Sequence, residues 1–429
     1  MKKHDALLLG EKIKLIRKAK NISQEALGLE IQYARSAISE IETGKLECDI
    51  HMLRKIKKTL GIEGMPLLEP ERHAFKDRLY IWYDIISKRD FDGAAQIQEE
   101  LSAITFLTFD HEFNAYYHLF RCRLLIGYFK IEEAKEALIT AETFCGEADN
   151  ELMYHHYYIK ATVEYYSGDC QKSLNFYHKA YKLMRGGYEE NKWLYYNICH
   201  CSFRLGYYYN IVVFIENARN KVNTDAQKDY MDYIIDSQLA ASYIHLGYVE
   251  KAKKLLIKCL EKAKNDDDMY FTDSIFYNLG ILYTEVNDWD TALTYFDKSL
   301  DCVPNGSRPY LGTLYRKLWC YIKLKCFTPC TALLAEGKAM ARKNEYFTML
   351  FEALEHLLTL NSYESTKYIE DVTIPYVLEK YDRYIALEYC DLLMAHYKRK
   401  GTKCTKKYLQ IADIAYGIYK EMRTGGVIE

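Results

Sequence analysis

Apolar residues recur at helical spacing through residues 9–60. This period predicts helices over about 9–18, 24–30 and 34–42, with Gly44 closing the third, and a further helix that ends at Gly61. The residues expected to form the core of these helices are Ile13, Leu15, Ile16, Ala26, Leu27, Ile31, Ile38, Ile41, Leu53, Ile56 and Leu60. The pattern therefore predicts a small helical head over residues 1–65.

A cluster of glycine and proline separates this head from the rest of the chain. Gly61, Gly64, Pro66 and Pro70 lie close together, and both residue types interrupt helices. We therefore predict a linker over residues 66–74 and a second domain over 75–429.

The second domain repeats a two-helix unit. The turn residues of successive units are Gly168, Gly206, Gly247, Asn287 and Lys325. They are separated by 38, 41, 40 and 38 residues. The clearest unit, residues 273–300, follows the tetratricopeptide pattern through Gly280, Tyr283, Ala292, Phe296 and Ser299. The small or apolar positions expected on the second helices are Ser173, Ile211, Ala252, Ala292 and Cys330. We predict an all-α chain whose second domain is a right-handed tetratricopeptide-like superhelix of about nine helical pairs.

Composition supports an all-helical chain and limits the kinds of site. Six prolines in 429 residues are few. Residues 1–65 carry 13 Lys+Arg and 9 Asp+Glu, so the head is basic although the whole chain has a formal charge of −2. The 13 cysteines lack zinc-site spacing, and we expect neither metal nor cofactor. We see no signal peptide and no apolar run of membrane-spanning length, so we expect a cytoplasmic protein with no membrane partner.

Two short motifs in the head carry a family resemblance. They are Ser23-Gln24-Glu25-Ala26-Leu27 and the segment from Arg35 to Lys45, RSAISEIETGK. Over about 55 residues the head resembles the XRE (Cro/repressor-type) helix-turn-helix superfamily. The resemblance places Gln32 where that superfamily has its turn glycine, a position that often takes positive φ.

The resemblance implies that the third helix lies in the major groove of a double-stranded DNA operator. The residues expected at or near base edges are Arg35, Ser36, Ser39 and Glu40, and those expected to hold phosphates are Arg17, Gln24 and Lys45. One copy buries little surface, so a homodimer on two half-sites is expected. Alternatively, these are ordinary solvated positions of a helical domain that contacts other proteins.

Polar residues recur at one position of the repeat. Asn278 lies on the concave side, two residues before Gly280, and the same position in neighbouring units holds Asn197, Gln238 and Arg316. Such a ladder suits the backbone of an extended peptide. The side chains expected nearby are Trp193, Tyr196, His200, Arg204, Tyr277, Glu285, Tyr315 and Trp319. Alternatively, the amides mark a solvated groove wall.

Head and repeats together resemble the RRNPP group of peptide-responsive regulators, the Rgg, Rap, NprR, PlcR and PrgX types. The resemblance implies a quorum-sensing transcription factor that is switched by a short signalling peptide and forms homodimers. No Ser/His/Asp or carboxylate constellation in the sequence assigns a catalytic residue, so we expect the protein not to be an enzyme. Two alternatives stay open: a response-regulator phosphatase or phosphotransfer inhibitor of the same group, and a scaffold that does not bind DNA.

Overall fold

The computed structural model describes residues 3–102, 110–146, 149–184, 192–220, 230–265, 269–342, 344–358, 362–380 and 382–424. Every regular element in these ranges is helical. The head contains α1 (Lys3–Ala19), α2 (Gln24–Ile31), α3 (Arg35–Glu42) and α4 (Ile50–Thr59). Among the described helices, none combines the length and the apolar character needed to cross a membrane.

Nine helical pairs follow the head within these ranges. We call the first helix of each pair its A helix and the second its B helix. The first three pairs are α5 (Glu69–Ser87) with α6 (Phe91–Ser102), α7 (His111–Gly127) with α8 (Ile131–Glu142), and α9 (Asn150–Tyr166) with α10 (Cys170–Leu183). The next four are α11 (Lys192–Arg204) with α12 (Tyr208–Asn220), α13 (Tyr230–His245) with α14 (Val249–Asn265), α15 (Met269–Glu285) with α16 (Trp289–Leu300), and α17 (Arg308–Leu324) with α18 (Phe327–Ala341). The last two are α19 (Glu345–Leu358) with α20 (Tyr363–Tyr368) and α21 (Ile374–Glu379), and α22 (Arg383–Lys400) with α23 (Thr405–Thr424). A π-helical turn at Ile369–Thr373 joins α20 to α21.

The chain divides into two compact units, which are described separately. One contains Met1–Ser167 with Lys179–Met184, and the other contains Gly168–His178 with Arg185–Glu429. The head therefore belongs to the same unit as the first helical pairs, and the candidate ligand-binding residues belong to the other unit.

Most of the predicted head core is buried. Ile13, Ile16, Leu27, Ile38 and Ile56 are each at most 1% exposed. Two expectations were wrong: Leu15 is 60% exposed, and Ala26 is also exposed. The buried stripe of α1 instead runs through Leu9, Ile13 and Ile16, the i, i+4, i+7 spacing of one helix face.

The turn between α2 and α3 has the geometry that the sequence predicted. Gln32 has φ 64° and ψ 44°, in the left-handed region, and its N–H closes the end of α2. This region favours glycine, so Gln32 holds a conformation that costs free energy.

The linker predicted at residues 66–74 is wrong from residue 69 onward, because α5 begins at Glu69. Met65 and Leu67 are buried, and the Glu71 carboxylate accepts hydrogen bonds from the N–H groups of Leu67 and Leu68. Lys57 of α4 forms a 2.8 Å ion pair with the same carboxylate. The Gly/Pro cluster is thus a short ordered connection whose backbone donors are satisfied by α5.

A left-handed residue separates the two helices of most pairs. Gly168, Gly206, Gly247, Asn287 and Lys325 all have positive φ, as expected of the turn residues that the sequence aligned. The same geometry occurs at two earlier turns that sequence reasoning missed, at Arg89 and Phe129. Neither residue is a type that commonly adopts positive φ, so no local sequence signal marks these two turns.

The sixth pair shows how closely its helices approach. A Cβ atom on Gly280 of α15 would overlap the ring of Phe296 on α16. Phe296, Ala292 and Ser299 are completely buried, whereas Tyr283 is half-buried and stacks on Tyr295 with 5.5 Å between ring centroids. The tetratricopeptide pattern thus predicted the close contact between Gly280 and Phe296 correctly. Tyr283 lies at the edge of the interface between the two helices.

We predict that Gly280→Ala destabilises the protein by about 1–3 kcal/mol, because the new methyl group must displace the Phe296 ring. Gly417→Ala is the matched control. Gly417 also lies within a helix, α23, but has open space around it, so a methyl group should stabilise that helix by up to about 1 kcal/mol. Thermal unfolding of both variants tests this, and an equal effect of the two substitutions would contradict it.

Candidate functional site

The exposed face of α3 holds most of the predicted base-contacting residues. Arg35, Ser36 and Glu40 are exposed and Ser39 is half-buried, while Ile38 and Ile41 fix the opposite face in the core of the head. Lys45 is exposed just beyond the end of the helix. The helix therefore presents a short polar surface of mixed charge to solvent.

The structure places two predicted phosphate contacts in an internal network instead. Arg17 is 7% exposed and donates both to the Glu42 carboxylate, at 2.5 and 3.0 Å, and to the Ile22 carbonyl, at 2.6 Å. Gln24 donates to the same carboxylate at 2.8 Å. These side chains hold α1, α2 and α3 together, so Arg17 is a poor phosphate ligand in this conformation.

Glu42 is the buried acceptor of this network and is 2% exposed. Burial alone would raise the pKa of Glu42, but the hydrogen bonds from Arg17 and Gln24 outweigh it and lower the pKa. A lowered carboxyl pKa means that the ionised form stabilises the folded state. That contribution is complete above the unfolded pKa of about 4.3 and is lost as the pH falls through the folded value.

We expect Glu42→Gln to destabilise the head by about 3 kcal/mol at neutral pH, because Arg17 would keep its buried charge without a counter-charge. The difference from the wild-type protein should shrink as the pH falls below about 4.3. Hydrogen exchange of peptides from residues 3–60, corrected for intrinsic rates, measures both effects. Glu40→Gln, on the exposed face of α3, is the control, and a pH-independent loss of protection would contradict the assignment.

Two cavities lie between helices of the second unit and share Tyr277. The larger, cavity A, has a volume of about 260 Å³ and is lined by Tyr196, His200, Ile234, Ser237, Gln238, Phe271, Asp273, Ser274, Tyr277, Pro309, Gly312 and Thr313. Cavity B has about 140 Å³ and is lined by Phe203, Arg204, Tyr208, Ala241, Ile244, His245, Tyr277, Asn278, Ile281, Arg316, Asp382, Arg383 and Tyr384. Both are lined by the A helices α11, α13, α15 and α17, and cavity B also by the first residue of α12, Tyr208, and by the beginning of α22.

The four predicted ladder residues are divided between and outside the two cavities. Gln238 lines cavity A, while Asn278 and Arg316 line cavity B. Asn278 Nδ2 also donates to Ser237 Oγ at 3.4 Å, which connects α15 to α13. Asn197 is half-buried and lines neither cavity, so the polar ladder stays a prediction that these two cavities do not include as a whole.

The other predicted groove residues divide in the same way. Tyr196 and His200 line cavity A, Arg204 lines cavity B, and Tyr277 lines both. Trp193 lines neither cavity and is 41% exposed, with its ring 5.9 Å from that of Tyr196. Glu285 also lines neither cavity and accepts a hydrogen bond from the Tyr384 hydroxyl at 2.5 Å.

Tyr315 and Trp319 are core residues rather than groove residues. Tyr315 is 2% exposed and Trp319 is 3% exposed, and both pack against Tyr389 of α22. Repeat counting placed them beside the ladder position of α17, but it could not show that Tyr389 of α22 packs against them. Their predicted role at the ligand is therefore wrong for this conformation.

The beginning of α22 supplies site residues that the sequence did not reveal. Arg316 is 5% exposed and forms a 2.6 Å ion pair with Glu388. Arg383 donates to the Leu205 carbonyl at 2.9 Å, and the Tyr384 ring lies 4.3 Å from that of His245. Together with the hydrogen bond from Tyr384 to Glu285, these contacts link the last helical pair to the ends of α11, α13 and α15 and to the middle of α17. The contacting residues are far apart in sequence, so no local pattern could have indicated them.

Burial fixes the charge states of the cavity residues. Burial, with help from Arg204 and Arg308, lowers the pKa of His200 to about 4, and burial with Arg316 lowers that of His245 to about 3. Both imidazoles are therefore neutral at pH 7. Burial would also lower the pKa of Arg316, but Glu388 outweighs it and raises the pKa, so this guanidinium stays charged.

Comparison with known proteins identifies the head. Residues 13–64 match the helix-turn-helix family model. Control protein C.BamHI of Bacillus amyloliquefaciens is 41% identical over 64 residues, which are 15% of this chain and 79% of that protein. The head belongs to the helix-turn-helix family.

Longer matches extend over the repeats. Transcriptional activator NprA of Geobacillus stearothermophilus is 22% identical over 400 residues, covering 88% of this chain and 96% of that protein. A Rap protein complexed with competence and sporulation factor matches with a TM-score of 0.71 at 14% identity, covering 82% of this chain and 99% of that one. The structure of NprR in complex with its cognate peptide NprX matches with a TM-score of 0.63 at 21% identity. The match covers 79% of this chain and 98% of that one.

These matches confirm the predicted fold class, an all-α chain with a helix-turn-helix head followed by tetratricopeptide-like repeats. Rap and NprR, two of the types that the sequence resembles, are among these matched structures, so the resemblance holds at the level of the fold.

Proposed function

We propose that this helix-turn-helix protein is a cytoplasmic transcriptional regulator that binds operator DNA through α3 and is switched by a short linear peptide bound in cavities A and B. The observation that carries the proposal is the position of the cavities: four successive A helices line them, in a chain that also bears a helix-turn-helix head. A concave cavity with a few polar groups is the usual form of a ligand site.

The DNA half of the proposal rests on the exposed face of α3. Arg35 is suited to bidentate hydrogen bonding with guanine, and Glu40 to accepting a hydrogen bond from cytosine. Ser36 and Ser39 can form hydrogen bonds with either a donor or an acceptor on a base edge. Lys45 remains a candidate phosphate contact, but Arg17 and Gln24 are already engaged by Glu42. We propose a homodimer, because one such head contacts only one half-site.

The peptide half rests on the amides and aromatic rings around the cavities. Gln238 and Asn278 each offer a donor and an acceptor to a peptide backbone, and Tyr277 forms a wall common to both cavities. The relatives NprR and Rap, whose folds are similar, were solved with a cognate peptide and with competence and sporulation factor respectively. Both observations support an extended peptide as the ligand.

Switching requires that the peptide bind two conformations with different affinity. A ligand in cavity B would contact Asp382, Arg383 and Tyr384 of α22 as well as the A helices. It would therefore favour one arrangement of the last pair relative to α11–α17. The Rap-like fold keeps one alternative open, in which the chain acts on a phosphorylated response regulator, and faster loss of phosphate from a receiver domain would favour it.

For DNA binding, we predict that Arg35→Ala combined with Ser39→Ala weakens binding by about thirtyfold or more, because each base contact contributes roughly 1–3 kcal/mol. Duplexes selected from a random pool with the wild-type protein serve as the target, and fluorescence anisotropy gives the affinity. Arg78→Ala with Ser102→Ala, two exposed positions on α5 and α6, is the matched control. If both double variants bound the selected duplex with equal affinity, the result would instead indicate a scaffold that does not bind DNA through α3.

For peptide binding, we predict that at least one member of a heptapeptide library releases heat on binding the full chain and changes its sedimentation or its affinity for the selected duplex. Linkage requires that a switching ligand alter the second equilibrium. Isothermal calorimetry and analytical ultracentrifugation measure these effects. A library without any binding peptide would refute this half of the proposal.

A further inference from the structure

Cavity A contains a buried carboxylate without a matching positive charge. Asp273 lies in the second turn of α15, is 5% exposed and lines the cavity. It is the one cavity A residue, among the described lining, that carries a formal charge at neutral pH, because His200 is neutral there. A charged group in this position requires a physical reason, since burying it is costly.

Two hydroxyl groups stabilise Asp273 only in part. Ser299 Oγ donates to Asp273 Oδ1 at 2.5 Å and lies 3.1 Å from Thr313 Oγ1. Because the single hydroxyl hydrogen of Ser299 is directed to the carboxylate, Thr313 must donate to Ser299. Both hydroxyl dipoles are thus aligned towards Asp273. Burial nevertheless raises the pKa of Asp273, with the Ser299 hydrogen bond opposing the shift.

Other buried acids of this unit have cationic partners. Asp232 and Asp236 are paired with Arg219, and Glu388 is paired with Arg316. Asp273 forms no ion pair within the described part of the chain. A carboxylate that is buried, lies in the wall of a cavity and has no internal cation is placed to receive one from a ligand.

We infer that cavity A binds a positively charged group of the ligand, an ammonium or a guanidinium, and that Asp273 is its acceptor. This inference rests on the proposed peptide receptor and adds the charge of the ligand to it. The rings of Tyr196, Phe271 and Tyr277 supply the aromatic walls that favour a cation, and Gln238 supplies a further acceptor.

The neighbouring cavity holds charges of both signs. Arg204, Arg316 and Arg383 line cavity B together with the Asp382 carboxylate, and Glu388 and Glu421 pair with Arg316 and Arg383. A peptide that extends across Tyr277 would therefore place its basic group in cavity A, where the Asp273 carboxylate forms no ion pair within the described part of the chain.

Positional heptapeptide libraries test the inference on the full chain. Each position in turn is fixed as lysine, norleucine or glutamate, and every library is made with a free and with an acetylated N-terminus. Binding is measured to the wild-type protein, to Asp273→Asn and to Asp290→Asn, an exposed control on α16. Asparagine has nearly the same shape as aspartate and can still accept from Ser299, and circular dichroism checks that the variant is folded.

We expect the wild-type protein and Asp290→Asn to prefer lysine over norleucine about tenfold or more at one position, or to prefer the free N-terminus by a similar factor. A preference that survives acetylation identifies a side chain, and one that acetylation removes identifies the terminal amine. In Asp273→Asn the preference should fall to about twofold or less.

Three results would overturn the inference. They are a preference that is unchanged in Asp273→Asn, a preference for glutamate, and wild-type binding that is indifferent to charge. In each of these cases peptides still bind, so the proposed function stands. If no library binds the wild-type protein, the proposed function and the inference both fail. If Asp273→Asn is unfolded, a wild-type preference for glutamate or indifference to charge still overturns the inference.

Discussion

Close approach of two helices within each pair is the constraint on which the repeat region depends. A helical pair cannot bury its apolar face alone, so the B helix must fit tightly against its own A helix and against the next pair. Gly280 against Phe296 shows how little space is left, and the fully buried Ser173, Ala252, Ala292 and Cys330 occupy the matching small positions. The left-handed turn residues serve the same packing, because they reverse the chain within a few residues.

This packing decides which side chains are available to a ligand. Once the apolar stripes of the A helices are used between neighbouring pairs, a second stripe at the same helical period remains for the cavities. On α15 that stripe contains Asp273, Tyr277, Asn278 and Ile281, which line cavity A, cavity B or both. Asn278 and Asp273 also form hydrogen bonds with Ser237 of α13 and Ser299 of α16, so these polar side chains line the cavities and connect neighbouring helices.

The last helical pair alters the surface that the repeats alone would present. Arg316 would be an exposed base on α17, but Glu388 neutralises it, and Tyr389 covers Tyr315 and Trp319. Arg383 and Tyr384 reach the ends of α11, α13 and α15. The smaller cavity is therefore bounded by residues separated by more than a hundred positions in sequence. A movement of α22 would change its shape without any change within the repeats.

The head and the repeats differ in what their sequences reveal. In the head, local motifs predicted the helices, the positive φ of Gln32 and the exposed face of α3, because short-range spacing determines each of these features. They did not predict that Arg17 and Gln24 bind Glu42, since the three residues lie on different helices. In the linker, glycine and proline indicated an interruption of the helix but not the ion pair between Lys57 and Glu71 that orders it.

By itself the sequence determined the all-α class, the positions of the helix turns and the small residues between paired helices. These follow from steric rules that act within one or two turns of chain. The tertiary structure alone decided that Asn197 lies outside both cavities, that α22 covers Tyr315 and Trp319, and that Asp273 is buried without a counter-charge. The physical reason is that charge balance and solvent access depend on which distant helices meet, and periodicity within one helix carries no information about that.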